Sequence, residues 1–135
     1  MKRIILRGDA VFLGLAGIFG LVSDLLSHYG GSGSFGTTFY RNPLVIGVVE
    51  AHSLAILTAA TMWYFSKKHT ATFGNWAGLS AHLICGISNI LWFDVFISVG
   101  AAGKGMAITA LHFVFAALNA LVILKMFNTI DHPAK

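Results

Sequence analysis

At 135 residues, 56% of them hydrophobic and only 10% charged, with a mean hydropathy of +0.77, the chain is too apolar for a soluble globular protein and reads as a one-domain integral membrane protein. Its net charge of +4 does not point to nucleic acid, because the basic residues sit in short flanks with no stripe or aromatic-interleaved patch. A single cysteine, Cys85, lies in an apolar run, which excludes an intrachain disulfide and reads as a small hydrophobe.

The first predicted helix covers about residues 10–29, after a basic start of Lys2, Arg3 and Arg7. No small-x-small cleavage site follows its apolar core, so it is read as a span and not a signal peptide. Gly14, Gly17 and Gly20 mark a face open to close approach by another helix, and Asp24 and His28 continue the face of Gly17 and Gly20. The glycine- and serine-rich stretch from Gly30 to Asn42 carries Phe35, Phe39 and Tyr40, which favour a membrane boundary; it is expected to fold over the end of the bundle. No strand precedes it and no Lys-Ser/Thr follows, so it is not a phosphate-binding loop.

Asn42-Pro43 is a helix-start signal and opens the second predicted helix, about 43–65, which ends in Trp63, Tyr64 and Phe65 before the basic Lys67 and Lys68. The third runs over about 75–99 and the fourth over about 105–127. Each reaches the ~20 residues that a bilayer core requires, and the expected fold is all-α, an integral membrane up-down four-helix bundle. Lys2, Arg3, Arg7, Lys67, Lys68, Lys125 and Lys135 fall on one side of it, against Arg41 and Lys104 on the other. That asymmetry sets both termini in the cytoplasm of a bacterial cell.

The polar residues inside the spans are the candidate site. His82 and Asn89 are seven residues apart with Gly86 between them, and His112 and Asn119 repeat the figure. Seven residues is about two helical turns, so in an antiparallel hairpin His82 should face Asn119 and Asn89 should face His112. Asp24, Glu50 and Asp94 are expected about one to two turns below the external side, with His52, Asn89 and His112 roughly two turns deep and the inner half nearly all apolar. Glu50 and His52 are about 200° apart on their helix and cannot both face the axis. Helices two and four lie diagonally across an up-down bundle, so His52 and His112 should meet at matched depth.

Three readings follow. Two facing imidazoles could hold a haem b iron, or His52, His112 and His28 with the acids could hold a transition metal, for redox or electron-transfer chemistry. In this reading Asn89, His82 and Asn119 line the cofactor, and Glu50 or Asp24 handles protons. Alternatively the His-Asn pairs are interhelical hydrogen bonds in an accessory subunit that holds a lipid, a quinone or a larger membrane partner. A third reading is proton or ion movement through Asp24 and Glu50, possible in a homo-oligomer. A hydrolase is excluded, since neither Ser53 beside His52 nor Ser27 beside His28 points where its neighbour does. His132, near the end of the chain, is set aside.

In its size, its N-terminal arginine, its glycine-bearing first helix and the early glutamate of its second, Glu50, the chain resembles small bacterial four-helix proteins of the DoxX type. The His-x6-Asn pairs lie outside that pattern, and no residue role follows from the resemblance.

Overall fold

A computed structural model describes residues 2–67 and 71–130. Five α-helices follow one another: α1 (Lys2–Gly30), α2 (Val45–Ser66), α3 (Ala71–Leu91), a short α4 (Phe93–Ser98) and α5 (Ala102–Ile130), with a 3-10 turn over Gly36–Phe39 between the first two. Among the described residues there is no strand. Three segments are long and apolar enough to cross a membrane: Arg3–Gly30, Val45–Ser66 and Ala102–Lys125. Phe19, Ile46, Leu54, Leu57, Ile84 and Leu121 are each more than half exposed, as side chains facing hydrocarbon are.

Two of the predicted boundaries move in ways that bear on function. The first helix begins at Lys2 and not near residue 10, so Arg7, Gly8 and Asp9 are helical. The third breaks at Trp92, which leaves helical geometry at φ −115° and ψ 35°, and continues as α4. No proline or glycine sits at that break. The chain instead turns so that the Phe96 ring packs where a side chain on Gly105 would be. Asn42 and Pro43 form the turn that leads into the second helix and are not its first residues: the Asn42 side chain accepts the Leu44 N–H at 3.0 Å, and α2 follows from Val45 with Leu44 as its N-cap.

α1 and α2 pack antiparallel through small residues. A Cβ on Gly14 would touch that of Ala59, one on Gly17 would strike Ile56 and the backbone oxygen of His52, and one on Gly20 would overlap the His52 ring. Without water to drive helices together in lipid, close backbone approach of this kind supplies the van der Waals contact that does. α3 and α5 form the second antiparallel pair, with Gly86 under the Phe113 ring. The two pairs join where Leu6 of α1 lies over Gly74 of α3, beside a core of Leu6, Ala10, Leu13, Ala59, Met62 and Ala71.

The loop after α1 folds back on its own helix. Gly31, at φ 63°, ends the helix and Gly33, at φ 106°, brings the chain against Ser23 and Ser27. Ser34 then donates its backbone N–H to Ser23 Oγ at 2.7 Å. Phe35 and Phe39 stack at 4.4 Å in the same loop.

Candidate functional site

The residue that organises the interior is Asp9. It belongs to α1 and is wholly buried, as are His82 of α3 and Asn119 of α5; His112 of α5 keeps 8% of its surface. Asp9 Oδ1 lies 2.5 Å from His82 Nε2, and its Oδ2 accepts a hydrogen bond from Asn119 Nδ2, also at 2.5 Å. On the other side of the same imidazole, His82 Nδ1 lies 2.8 Å from His112 Nδ1. Three titratable side chains from three helices thus form one continuous hydrogen-bonded chain.

Packing holds the chain in place. Asp9 fits only because α3 has no side chain at Gly78, where a Cβ would lie 2.8 Å from Asp9 Oδ2 and 3.0 Å from Asn119 Nδ2. Phe115 stacks on the His82 ring at 5.3 Å and on Phe12 at 4.8 Å, so aromatic faces wall the imidazoles. Asn119 also donates to the Phe115 carbonyl at 2.9 Å, which fixes its amide. The nearby Arg7 turns outward to Ser66 Oγ at 3.3 Å and over the Trp63 ring, and α2 contributes the apolar Met62 to Gly78.

A second Asp-His pair stands towards the other end of α1. Asp24 Oδ2 and His52 Nδ1 are 2.6 Å apart; the Asp24 side chain is 1% exposed and that of His52 is 32% exposed. The His52 ring rests on Gly20. Asp24 Oδ1 and His28 Nδ1 are buried without a hydrogen-bond partner among the described residues, as are the side-chain oxygens of Asn75 and Asn119.

The expected pairings are therefore redrawn. His82 and Asn119 do meet in one cluster, yet through Asp9 and not face to face. His112 bonds to His82 and not to Asn89, which lines a shallow hollow of about 200 Å³ with Phe35, Phe39, Val48, Trp92 and Phe96. His52 and His112 are not bonded to each other: the Nδ1 of each is taken by a partner on another helix. Among the described residues no group of three or more His, Cys, Asp or Glu side chains is arranged to hold a metal ion. His28 lies edge-on to the Tyr29 ring at 4.7 Å, and Glu50 and Asp94 are both exposed. The inner half is not apolar, since it holds Asp9 together with buried Asn75, Asn119 and Ser66. His132, Lys68 and Lys135 lie outside the described residues.

Asp9 is what sequence reasoning missed. It lies just before the long apolar run, outside the predicted helix of about residues 10–29. The signal was nonetheless there, because the stripe Asp24, Gly20, Gly17 continues backward at steps of three and four through Leu13 and Ala10 to Leu6, with Asp9 alongside.

What the chain of groups can do follows from counting hydrogens. The His82–His112 contact and the Asp9–His82 contact each hold one hydrogen. In the first placement Asp9 is a carboxylate accepting from His82 Nε2–H, while His112 Nδ1–H donates to His82 Nδ1 and His112 Nε2 carries a lone pair. Add a proton at His112 Nε2 and a second placement becomes available: the His112 Nδ1 proton passes to His82 Nδ1, and the His82 Nε2 proton passes to Asp9. Every group is then neutral, and no heavy atom has moved. The alternative, an imidazolium at His112 with a carboxylate at Asp9, keeps two separated ions in a low-dielectric interior and costs several kcal/mol per ion. The geometry therefore offers an added proton a route to Asp9 that leaves no separated charges.

Comparison with known protein families, with curated proteins and with solved structures finds none that matches the chain.

Proposed function

We propose that this is a four-crossing membrane protein that takes up and passes on protons through the Asp9–His82–His112 chain. The observation that carries the reading is the unbroken hydrogen bonding of three titratable side chains, from three different helices, in a buried interior. An intramembrane carboxylate costs ~2.5–3.5 kcal/mol on insertion scales and marks function by default, and chains of Asp, Glu and His are the usual groups of proton paths in membranes. If the cluster served only to hold helices together, Asn, Ser or Thr would supply similar hydrogen bonds at lower cost.

α3 serves as the fourth crossing in this reading. Its 21 residues rise ~31 Å, enough for a hydrocarbon core of ~30 Å, and its polar face of Asn75, His82 and Asn89 looks into the bundle. The basic end, with both chain termini, faces the cytoplasm by the Lys/Arg asymmetry.

The test is infrared difference spectroscopy on the purified protein across pH. A protonated-carboxyl band should grow as pH falls, shift in D2O, and vanish in Asp9→Asn while the helical content stays unchanged. A carboxyl difference spectrum that Asp9→Asn leaves unchanged, or no such band at any pH in the wild type, rejects the reading; a band from Asp24 stays in both proteins.

A further inference from the structure

The relay ends at His112 Nε2, and the Asp24–His52 pair repeats its chemistry nearer the other end of α1. In both, α1 contributes a buried aspartate, another helix contributes a histidine, and a glycine makes the contact possible: Gly78 beneath Asp9, Gly20 beneath His52. Counting hydrogens gives the same result for the smaller pair. A proton added at His52 Nε2 displaces the Nδ1 proton onto Asp24 Oδ2 and leaves both groups neutral.

The heights of the groups form a ladder. Asp9 and Asp24 are fifteen residues apart on α1, a rise of ~22 Å out of a hydrocarbon core of ~30 Å. Asn119 meets Asp9, so His112, seven residues along α5, stands ~10 Å above that level. Gly20, where the His52 ring lies, is eleven residues above Asp9, or ~16 Å. Both imidazoles lean on α1: His52 packs on Gly20, and the His112 ring lies 6.4 Å from that of Phe12. The step between them along the bundle axis is ~6 Å, and because α2 and α5 do not form a packed pair, water has to cover the sideways gap as well.

We propose that Asp9, His82, His112, His52 and Asp24 are successive stations of one transmembrane proton path, with the step between His112 and His52 carried by water. The proposal rests on the relay described above and extends it to the second pair. A proton travelling inward leaves Asp24 for His52 Nδ1 as the His52 Nε2 proton passes to water. The resulting hydronium protonates His112 Nε2, and the two N–H shifts load Asp9. Each transfer breaks one O–H or N–H bond and forms another, and no oxidant or reductant is needed. The charged and titratable groups facing Asp24 are His52 from α2 and, one turn along α1, His28; Arg41 of the loop lies over the Tyr40 ring at 5.3 Å. Glu50 is exposed on α2 and is not on the path.

The experiment is proton flux into liposomes carrying the full-length protein and an internal pH dye, driven by a pH step with valinomycin and potassium to clamp the voltage. Wild type should acidify the lumen at least tenfold faster than protein-free vesicles. Asp24→Asn should cut the initial rate at least tenfold while the Asp9 carboxyl band still titrates, and Asp24→Glu should restore most of the rate. Absence of flux in the wild type, or Asp24→Asn conducting like the wild type, overturns the path and leaves the relay intact as a closed proton store. Loss of the Asp9 band in the wild type instead removes the relay itself. If Asp24→Asn fails to fold, His52→Gln carries the same test, with the same rate loss expected and wild-type flux overturning the proposal.

Discussion

Two Asp-His contacts on the same helix have been finished to different degrees. At Asp9 both carboxylate oxygens are bonded, every partner but one is wholly buried, and the histidine hands on to a second histidine. At Asp24 one oxygen is bonded and one is not, and a third of the histidine side chain is exposed. The chemistry is shared, and the difference lies in how much of each group the packing encloses. A carboxylate with both oxygens satisfied is held in one geometry and hands its proton to one neighbour. A carboxylate with a free oxygen beside a partly exposed imidazole is suited to exchange with what lies outside. In the proposed path the inner contact is the enclosed relay and the outer one the port.

Substitutions that break this contrast should differ in size accordingly. The largest effect is expected at Asp9. Asp9→Leu strips the bonded partners from His82 and Asn119, both wholly buried, and should cost about 3–5 kcal/mol of stability, whereas Asp9→Asn keeps a hydrogen-bonding isostere and should cost far less. Reversible unfolding in mixed detergent micelles measures both. Should the two variants prove equally stable, Asp9 would not be the centre of the cluster.

Gly78→Ala comes next. Its Cβ would press on Asp9 Oδ2, Met62 Cε and Asn119 Nδ2 at 2.8 to 3.0 Å, in a region where nothing can move towards solvent. Overpacking of this kind costs about 1–3 kcal/mol and should also weaken the Asp9 infrared band. The atoms nearest a Cβ on Gly20 all belong to the His52 ring, whose side chain is a third exposed, so Gly20→Ala is expected to cost about 1 kcal/mol as the ring shifts, with Asp24 left unpaired. A larger loss at Gly20 than at Gly78 would reverse the contrast between relay and port. Smallest of all, Glu50→Gln, on an exposed face, should move stability by less than about 0.5 kcal/mol and leave flux unchanged.

Much of the scaffold could be read from residue order. Asn42-Pro43 leads into the second helix, the glycines of α1 do meet another helix, and the aromatic, glycine-rich loop does fold back on the bundle. The site was legible only in part, for physical reasons that differ by residue. His82 and Asn119 share a face by spacing, and they do share a cluster, but the group joining them comes from a helix 73 positions away from His82. Asp9 was hidden because hydropathy draws a helix where the apolar run begins, while this helix starts at Lys2 and turns Asp9 into the interior against α3 and α5. The diagonal argument for His52 and His112 placed both rings inside the bundle. It could not foresee that α1, carrying an aspartate at each level, would claim one directly and reach the other through His82. The break at Trp92 carries no helix-breaking residue and leaves no mark in the sequence.

The central claim is that a proton entering at His112 ends on Asp9 by reversing the hydrogen placement of His82. Solid-state nitrogen-15 NMR on histidine-labelled protein, with each ring assigned by substitution, reads that placement directly. At high pH His82 should carry its hydrogen on Nε2; after uptake of one proton it should carry it on Nδ1, still neutral, as the Asp9 carboxyl becomes protonated. A His82 that keeps its Nε2 hydrogen throughout, or that becomes a doubly protonated imidazolium while Asp9 stays ionised, would contradict the account.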